Sequence, residues 1–348
     1  MLTYWLMYLI PASIALFLGR RQQSNQMLWI STGFIFILII GFRFEVGGDW
    51  FNYIRHYDQV IGASLKQAMH GGDPAHKYLN FLMARWNLGV YGTNVVYSGI
   101  FMWGLIRFSR QQSYPWLAIV AAVPYLIIVV VMGYSRQAVA IGLFLLAVSY
   151  LDKGKFKTYV GIILLAALFH KTALLLLPLG IFLYGKGLTL RLLMIVPIAY
   201  GAWDLLLADR QEHLWKSYVE EKMQSDGAKI RVVMNLIPSL LLLKYRKEWK
   251  RSFDDYRFWF WIALGSIVSV FLVSAASTAV DRIALYFIPI QLVVFARLPY
   301  LARKHVKPFT MKVVIVLGYV LVFFVWLNYA THAQYWLPYQ NILFMDIL

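Results

Sequence analysis

Cysteine is absent from this sequence. With no thiol there are no disulfides, no thiolate metal ligands and no cysteine nucleophile, so fold and chemistry rest on other side chains. Charge is scarce as well. Asp, Glu, Lys and Arg make up 14% of the residues, against roughly 25% in soluble domains. Acids are the scarcer sign, 16 against 33 bases. A 348-residue chain that is 61% apolar lacks the polar residues to clothe a soluble surface.

What is present is apolar sequence in blocks, on the scale of the roughly 17–25 residues that carry a helix across a hydrocarbon core of about 30 Å. They lie near 2–19, 27–42, 90–107, 115–132, 137–151, 158–170, 172–185, 190–207, 230–245, 258–275, 282–297 and 309–328. The pattern predicts an all-α polytopic transmembrane bundle of about twelve helices, with residues 1–348 as a single integral membrane domain. The runs 158–170 and 172–185 meet at His170 and Lys171, which suggests one broken or re-entrant pair. The first run has no basic leader and ends at Arg20-Arg21, so it reads as a retained helix rather than a cleaved signal.

Orientation follows from the bases, because Lys and Arg collect on the cytoplasmic side. With Arg20-Arg21 inside, the loops 107–114, 152–157, 186–191, 244–257 and 297–312 are inside too. They hold most of the Lys and Arg but, among the acids, only Asp152, Glu248, Asp254 and Asp255. Nearly all of the net charge of +17 is therefore topology. It points away from nucleic acid as a partner. The basic loop 244–257 reads as a topology anchor touching acidic headgroups. Outside lie the extracytoplasmic loops 43–89 and 204–229, residues 274–281, the tail from 329, and short turns at 133–136 and 170–171.

The outer face carries the unusual residues. Gly47-Gly48, followed by Trp50, Phe51, Tyr53 and Tyr57, suggests a backbone turn packed against the membrane surface, then a short interfacial helix from Trp50 to Val60. Isolated cations stand at outer helix ends: Arg43 closing the second run, Arg136 opening the fifth, His170-Lys171 at the sixth–seventh junction, and Arg282 opening the eleventh. Charges at that depth are costly unless paired or hydrated, and so mark candidate sites. In a helix's first turn, where Arg136 and Arg282 are expected, a cation opposes the macrodipole and an anion restores the balance. Asp281 offers Arg282 a simple partner, whereas no acid is near Arg136 in sequence. Guanidinium groups that dominate such a cluster suit a lipid-linked phosphate or diphosphate.

The ordered set Arg43-x-x-Val46-Gly47-x-Asp49-x-x-x-Tyr53, Arg136-Gln137-x-x-Ala140, Phe169-His170-Lys171-Thr172-Ala173, Arg282-x-x-x-Tyr286 and the tail 336–343, WLPYQNIL, resembles the EpsG family of Wzy-type polysaccharide polymerases. The compact loops suit a bacterial inner membrane, and the resemblance implies a GT-C-like helical fold with the active site on the periplasmic face. It implies transfer of a growing O-antigen or exopolysaccharide chain from undecaprenyl diphosphate to the sugar of another lipid-linked repeat unit, membrane lipid surrounding both. A Wzz-type chain-length regulator is a partner expected of the family.

In such a transfer, negative charge builds on the leaving diphosphate, and Arg43, Arg136, Lys171 and Arg282 are the candidates to neutralise it. The outer loops offer no Asp-x-Asp and no carboxylate pair beyond Glu220-Glu221, which favours a site without metal or other cofactor. Asp49 and His170 are the candidate bases; Asp49 could equally pair with an arginine, and His170 could be bonded to a neighbouring helix. Tyr53, Gln137, Asp281 and Tyr286 are candidate substrate contacts, with plain packing the alternative for the tyrosines. Residues 204–229 read as an amphipathic helix, a lid or acceptor surface or else a solvated face, and 62–77, where His70, Gly71, Gly72 and His76 could be taken for metal ligands, reads as a turn. Rival functions are a flippase or transporter of the same lipid, an O-antigen ligase, and a membrane acyltransferase using His170. A transporter would favour a midplane site and repeated halves, and no repeat relates residues 1–174 to 175–348.

Overall fold

A computed structural model of the chain describes residues 1–151, 155–183, 193, 196–197, 200–201, 227–275 and 277–345. Helices occupy every predicted apolar run except 190–207, most of which lies outside those residues. We number the principal ones α1 Leu2–Phe17, α2 Gln26–Gly41, α3 Trp50–Asp58, α4 Pro74–Arg85, α5 Gly89–Ser109, α6 Pro115–Val131, α7 Ser135–Leu151, α8 Phe156–Phe169, α9 Lys171–Leu183, α10 Ala228–Lys244, α11 Tyr256–Leu272, α12 Ser277–Leu301 and α13 Pro308–Tyr329. The described residues contain no strand, only one isolated antiparallel bridge between Arg43 and Asn341.

Local chemistry sets the helix ends. Proline opens α4, α6 and α13, where its missing N–H costs nothing. The Asn25 side chain caps α2 by accepting from Met27 N at 2.9 Å. Within α6, Pro124 removes a ladder donor, and Val123–Val131 winds as a π-helix. The run 172–185, expected as α-helix, is instead a 3-10 helix over Lys171–Leu183 with Pro178 inside it.

Helices α6 and α7 are the centre of the bundle, buried on nearly every side and apolar all round. Helix α5 meets α7 backbone to backbone, since a Cβ on Gly104 would stand 1.9 Å from the Gly142 carbonyl oxygen. The exterior is apolar too: Leu2, Leu6 and Leu9 on α1, Leu264, Val268 and Phe271 on α11, and Val314, Leu317, Leu321 and Val325 on α13 are exposed. Such a surface fits lipid. Helices α12 and α13 are each long and apolar enough to cross a membrane alone.

The basic loop 244–257 is more than an anchor. Its Asp255 is buried and accepts from both Arg297 guanidinium nitrogens at 2.7 Å, from Trp249 Nε1 at 3.1 Å and from Trp259 Nε1 at 2.9 Å. Arg297 also donates to Gln112 at 3.0 Å and lies 4.0 Å from the Phe253 ring centroid. Every charged atom of this pair is satisfied, which a buried ion pair requires.

Candidate functional site

The opposite end of the bundle is tied by the C-terminal tail, which returns across the loop between α2 and α3. Phe44 N donates to Gln340 O at 3.0 Å, Gly47 N to Tyr335 O at 2.8 Å, and Ile342 N to Phe42 O at 2.9 Å. Trp336 is buried and donates to Ile128 O at 2.8 Å, so its indole is fixed against α6. Gly47 has φ +106°, and a Cβ there would meet the Met132 carbonyl oxygen at 2.1 Å. The glycine turn therefore packs on the α6–α7 junction, within protein, rather than on the membrane surface.

Arg43 sits inside this strap at 1% exposure. Its guanidinium donates to Val46 O at 3.1 Å, Ile40 O at 2.7 Å, Ser135 Oγ at 3.0 Å and Asn94 Oδ1 at 3.4 Å. Four of the five N–H donors an arginine carries are thus spent on the protein. Placed so, Arg43 holds Ser135, the residue before Arg136.

Arg136 is the second residue of α7. Its backbone N–H donates to Tyr53 OH at 3.2 Å, and its guanidinium pairs with Asp73 at 2.8 Å with the arginine side chain 31% exposed. That carboxylate arrives from 63 residues away, which is why no acid was visible beside Arg136 in the sequence. Asp73 precedes Pro74 at the start of α4, and left-handed Gly71 and Gly72 turn the chain into it. His76, expected within that turn, lies in α4 and is buried. Its Nδ1 is 2.6 Å from Tyr97 OH and its Nε2 is 3.2 Å from His56 Nδ1, with Asn80 alongside. Burial, then the Arg136 charge, holds both imidazoles below the usual histidine range. Among the described residues no group of three or more His, Asp or Glu converges.

On the far side of Arg136, Gln137 donates to the Arg282 carbonyl at 2.7 Å, joining α7 to α12. Arg282 does not open its helix; it lies in the last turn of the α-helical segment Ser277–Ala284, before Leu285–Phe287 tightens to 3-10. Asp281 is not its partner either. That carboxylate is gripped through both oxygens by Arg231 of α10, so Asp281 is spent within the fold. The Arg282 guanidinium has no hydrogen bond or ion pair to the described residues, beyond the carbonyl contact made by its backbone. One turn on, buried Tyr286 meets Thr172 Oγ1 at 3.1 Å.

His170 stands between. It ends α8 in extended conformation, φ −155° and ψ 111°, and both Arg282 and Arg136 are within electrostatic reach of its ring. Among the described residues its Nε2 is buried with no hydrogen-bond partner. The Gln137 Oε1 is likewise buried and unpaired. Among the described residues, these two orphaned polar atoms stand close to Arg282, and each such buried atom asks for an explanation. Lys171 follows His170 and leads into Thr172. Arg136, Arg282 and His170 are thus brought together, with Lys171 next to His170 in the chain and Arg43 joined to the residue before Arg136.

Asp49 faces a different space. It precedes α3, accepts from Asn52 at 3.1 Å, and lines a cavity of about 630 Å³ with Tyr134, Arg231 and His332. The outer loop 204–229 lies outside the described residues except for 227–229, where α10 begins.

A model of the EpsG family matches residues 26–341. The chain belongs to the EpsG family. No curated protein and no solved structure matches it. EpsG proteins form a Wzy-like polymerase family, so the general activity is polysaccharide polymerisation by a membrane protein. The EpsG match begins at the start of α2 and ends at Asn341, and so takes in both halves of the strap, Arg43 and Asn341. Sequence reasoning missed Asp73, His56, Arg231 and the Asp255–Arg297 pair because each gains its meaning from a partner distant in sequence.

Proposed function

We propose that this EpsG protein transfers a glycan chain from undecaprenyl diphosphate to a lipid-linked repeat unit on the periplasmic face of a bacterial inner membrane, within a GT-C-like bundle of about twelve spans. The observation that carries the reading is the convergence of Arg136, Arg282 and an orphaned His170 at one end of the bundle. Among the described residues there, Arg136 and Arg282 are cations and Asp73, paired with Arg136, is a carboxylate, a balance that suits a diphosphate. Arg282, with its donors uncommitted, grips the phosphate oxygens. Arg136, held in place by Asp73 and Tyr53, adds a fixed positive field as charge develops on the leaving group.

The bond formed joins the acceptor oxygen to the donor's anomeric carbon, and the bond broken joins that carbon to the diphosphate oxygen. The acceptor proton passes to a base: Asp49 or His170. No metal is assigned a role, Tyr53, Gln137 and Tyr286 orient the groups that touch substrate, and a Wzz-type partner sets chain length. The test uses the purified protein with undecaprenyl-diphosphate-linked repeat units. A ladder of lengths supports polymerisation; a single addition means a ligase, and movement across the bilayer without new bonds means a flippase.

A further inference from the structure

The cavity beside Asp49 has the wrong charge for a diphosphate and the right lining for a sugar. Among the described residues that line it, the one guanidinium, Arg231, is paired with Asp281, and Asp49 adds a carboxylate. An anion would enter against that charge, whereas an uncharged polyol would not. The volume, about 630 Å³, falls within the roughly 300–1,000 Å³ of small-molecule sites. Trp326 and Trp336 meet edge to face at 5.6 Å along its wall, and the Trp336 indole is locked by its bond to Ile128 O. Rigid aromatic faces cover the apolar face of a pyranose while polar neighbours take its hydroxyls.

Tyr125 points the argument at a ligand. It lines the same cavity, is 7% exposed, and its hydroxyl is buried with no hydrogen-bond partner. A buried hydroxyl left unpaired is costly unless something else completes it. We infer that this cavity binds an uncharged sugar unit of the acceptor glycan, with the Tyr125 hydroxyl and the Asp49 carboxylate bonding its hydroxyls. The inference rests on the polymerase reading above and supplies it with a second pocket: diphosphate at Arg136 and Arg282, acceptor sugar at Asp49 and Tyr125. Tyr134, two residues before Arg136 in the chain, lines the cavity.

The test is a calorimetric titration of the full-length protein in nanodiscs with a neutral oligosaccharide cut from the producing cell's own polysaccharide, free of lipid and phosphate. The parent protein binds it. Tyr125→Phe, which removes an oxygen with no partner in the fold, keeps the parent melting temperature and weakens this binding about fivefold, the size of one hydrogen bond. It leaves the affinity for undecaprenyl diphosphate unchanged. Equal oligosaccharide affinity in parent and Tyr125→Phe, or no binding by the parent at millimolar concentration, overturns the inference. Arg282→Gln separates it from the reading beneath it. If that variant keeps full affinity for undecaprenyl diphosphate while oligosaccharide binding still depends on Tyr125, the diphosphate assignment falls and the sugar pocket stands.

Discussion

Replacing Arg43 with lysine distinguishes a structural clamp from a ligand. A lysine ammonium is a single point with three donors, and cannot span the Ile40 carbonyl, the Val46 carbonyl and Ser135 Oγ as the guanidinium fork does. Retaining the shortest contact, at 2.7 Å to Ile40 O, gives up those at 3.1 and 3.0 Å. Hydrogen bonds from a charged donor contribute about 1.5–3 kcal/mol each, so losing two costs about 3 kcal/mol at the low end. At about 2 °C per kcal/mol for a long chain, the melting temperature falls by roughly 6 °C. The assay is thermal unfolding of purified Arg43→Lys in detergent beside the parent, with polymer length followed in cells. Were Arg43 a diphosphate ligand, the variant would fold as well as the parent and fail only with substrate. Parental stability in Arg43→Lys therefore refutes the clamp.

Asp255→Ala leaves Arg297 buried without its counter-charge and two indole N–H groups without an acceptor. A loss of about 3–5 kcal/mol follows, and unfolding or loss of expressed protein measures it. The paired imidazoles make stability depend on pH. His56 and His76 are held below the usual histidine range, so the unfolded chain takes up protons first on acidification. Their contribution is whole above about pH 6.5 and is lost as pH falls below it. Melting temperatures at pH 7.5 and 5.0 should show that drop in the parent and a smaller one in a His56→Gln/His76→Gln double variant. A parent that gains stability on acidification contradicts the assignment.

Much of the bundle is legible in the sequence because lipid imposes a simple rule: an apolar run must become a helix. The boundaries of α5 and α13 fall within two residues of their predicted runs for that reason. Where proline interrupts a run the rule gives the place but not the winding, as with the π-helix after Ala122 and the 3-10 helix from Lys171. Isolated cations likewise marked the end of the bundle where Arg136, His170 and Arg282 meet. They did not reveal which cation is free. Arg43 is consumed by backbone carbonyls four residues or fewer away, and Arg136 meets Asp73 across 63 residues. Asp281 was legible as an acid beside an arginine, but its partner came from another helix, because neighbours in a helical chain point to different faces.

The most direct test of the central claim is a phosphorus-31 NMR titration of undecaprenyl diphosphate with the reconstituted protein and its Arg282→Gln variant. The account predicts a saturable shift of both phosphorus resonances with the parent and at least tenfold weaker binding with Arg282→Gln. Equal affinity in the two proteins would contradict it.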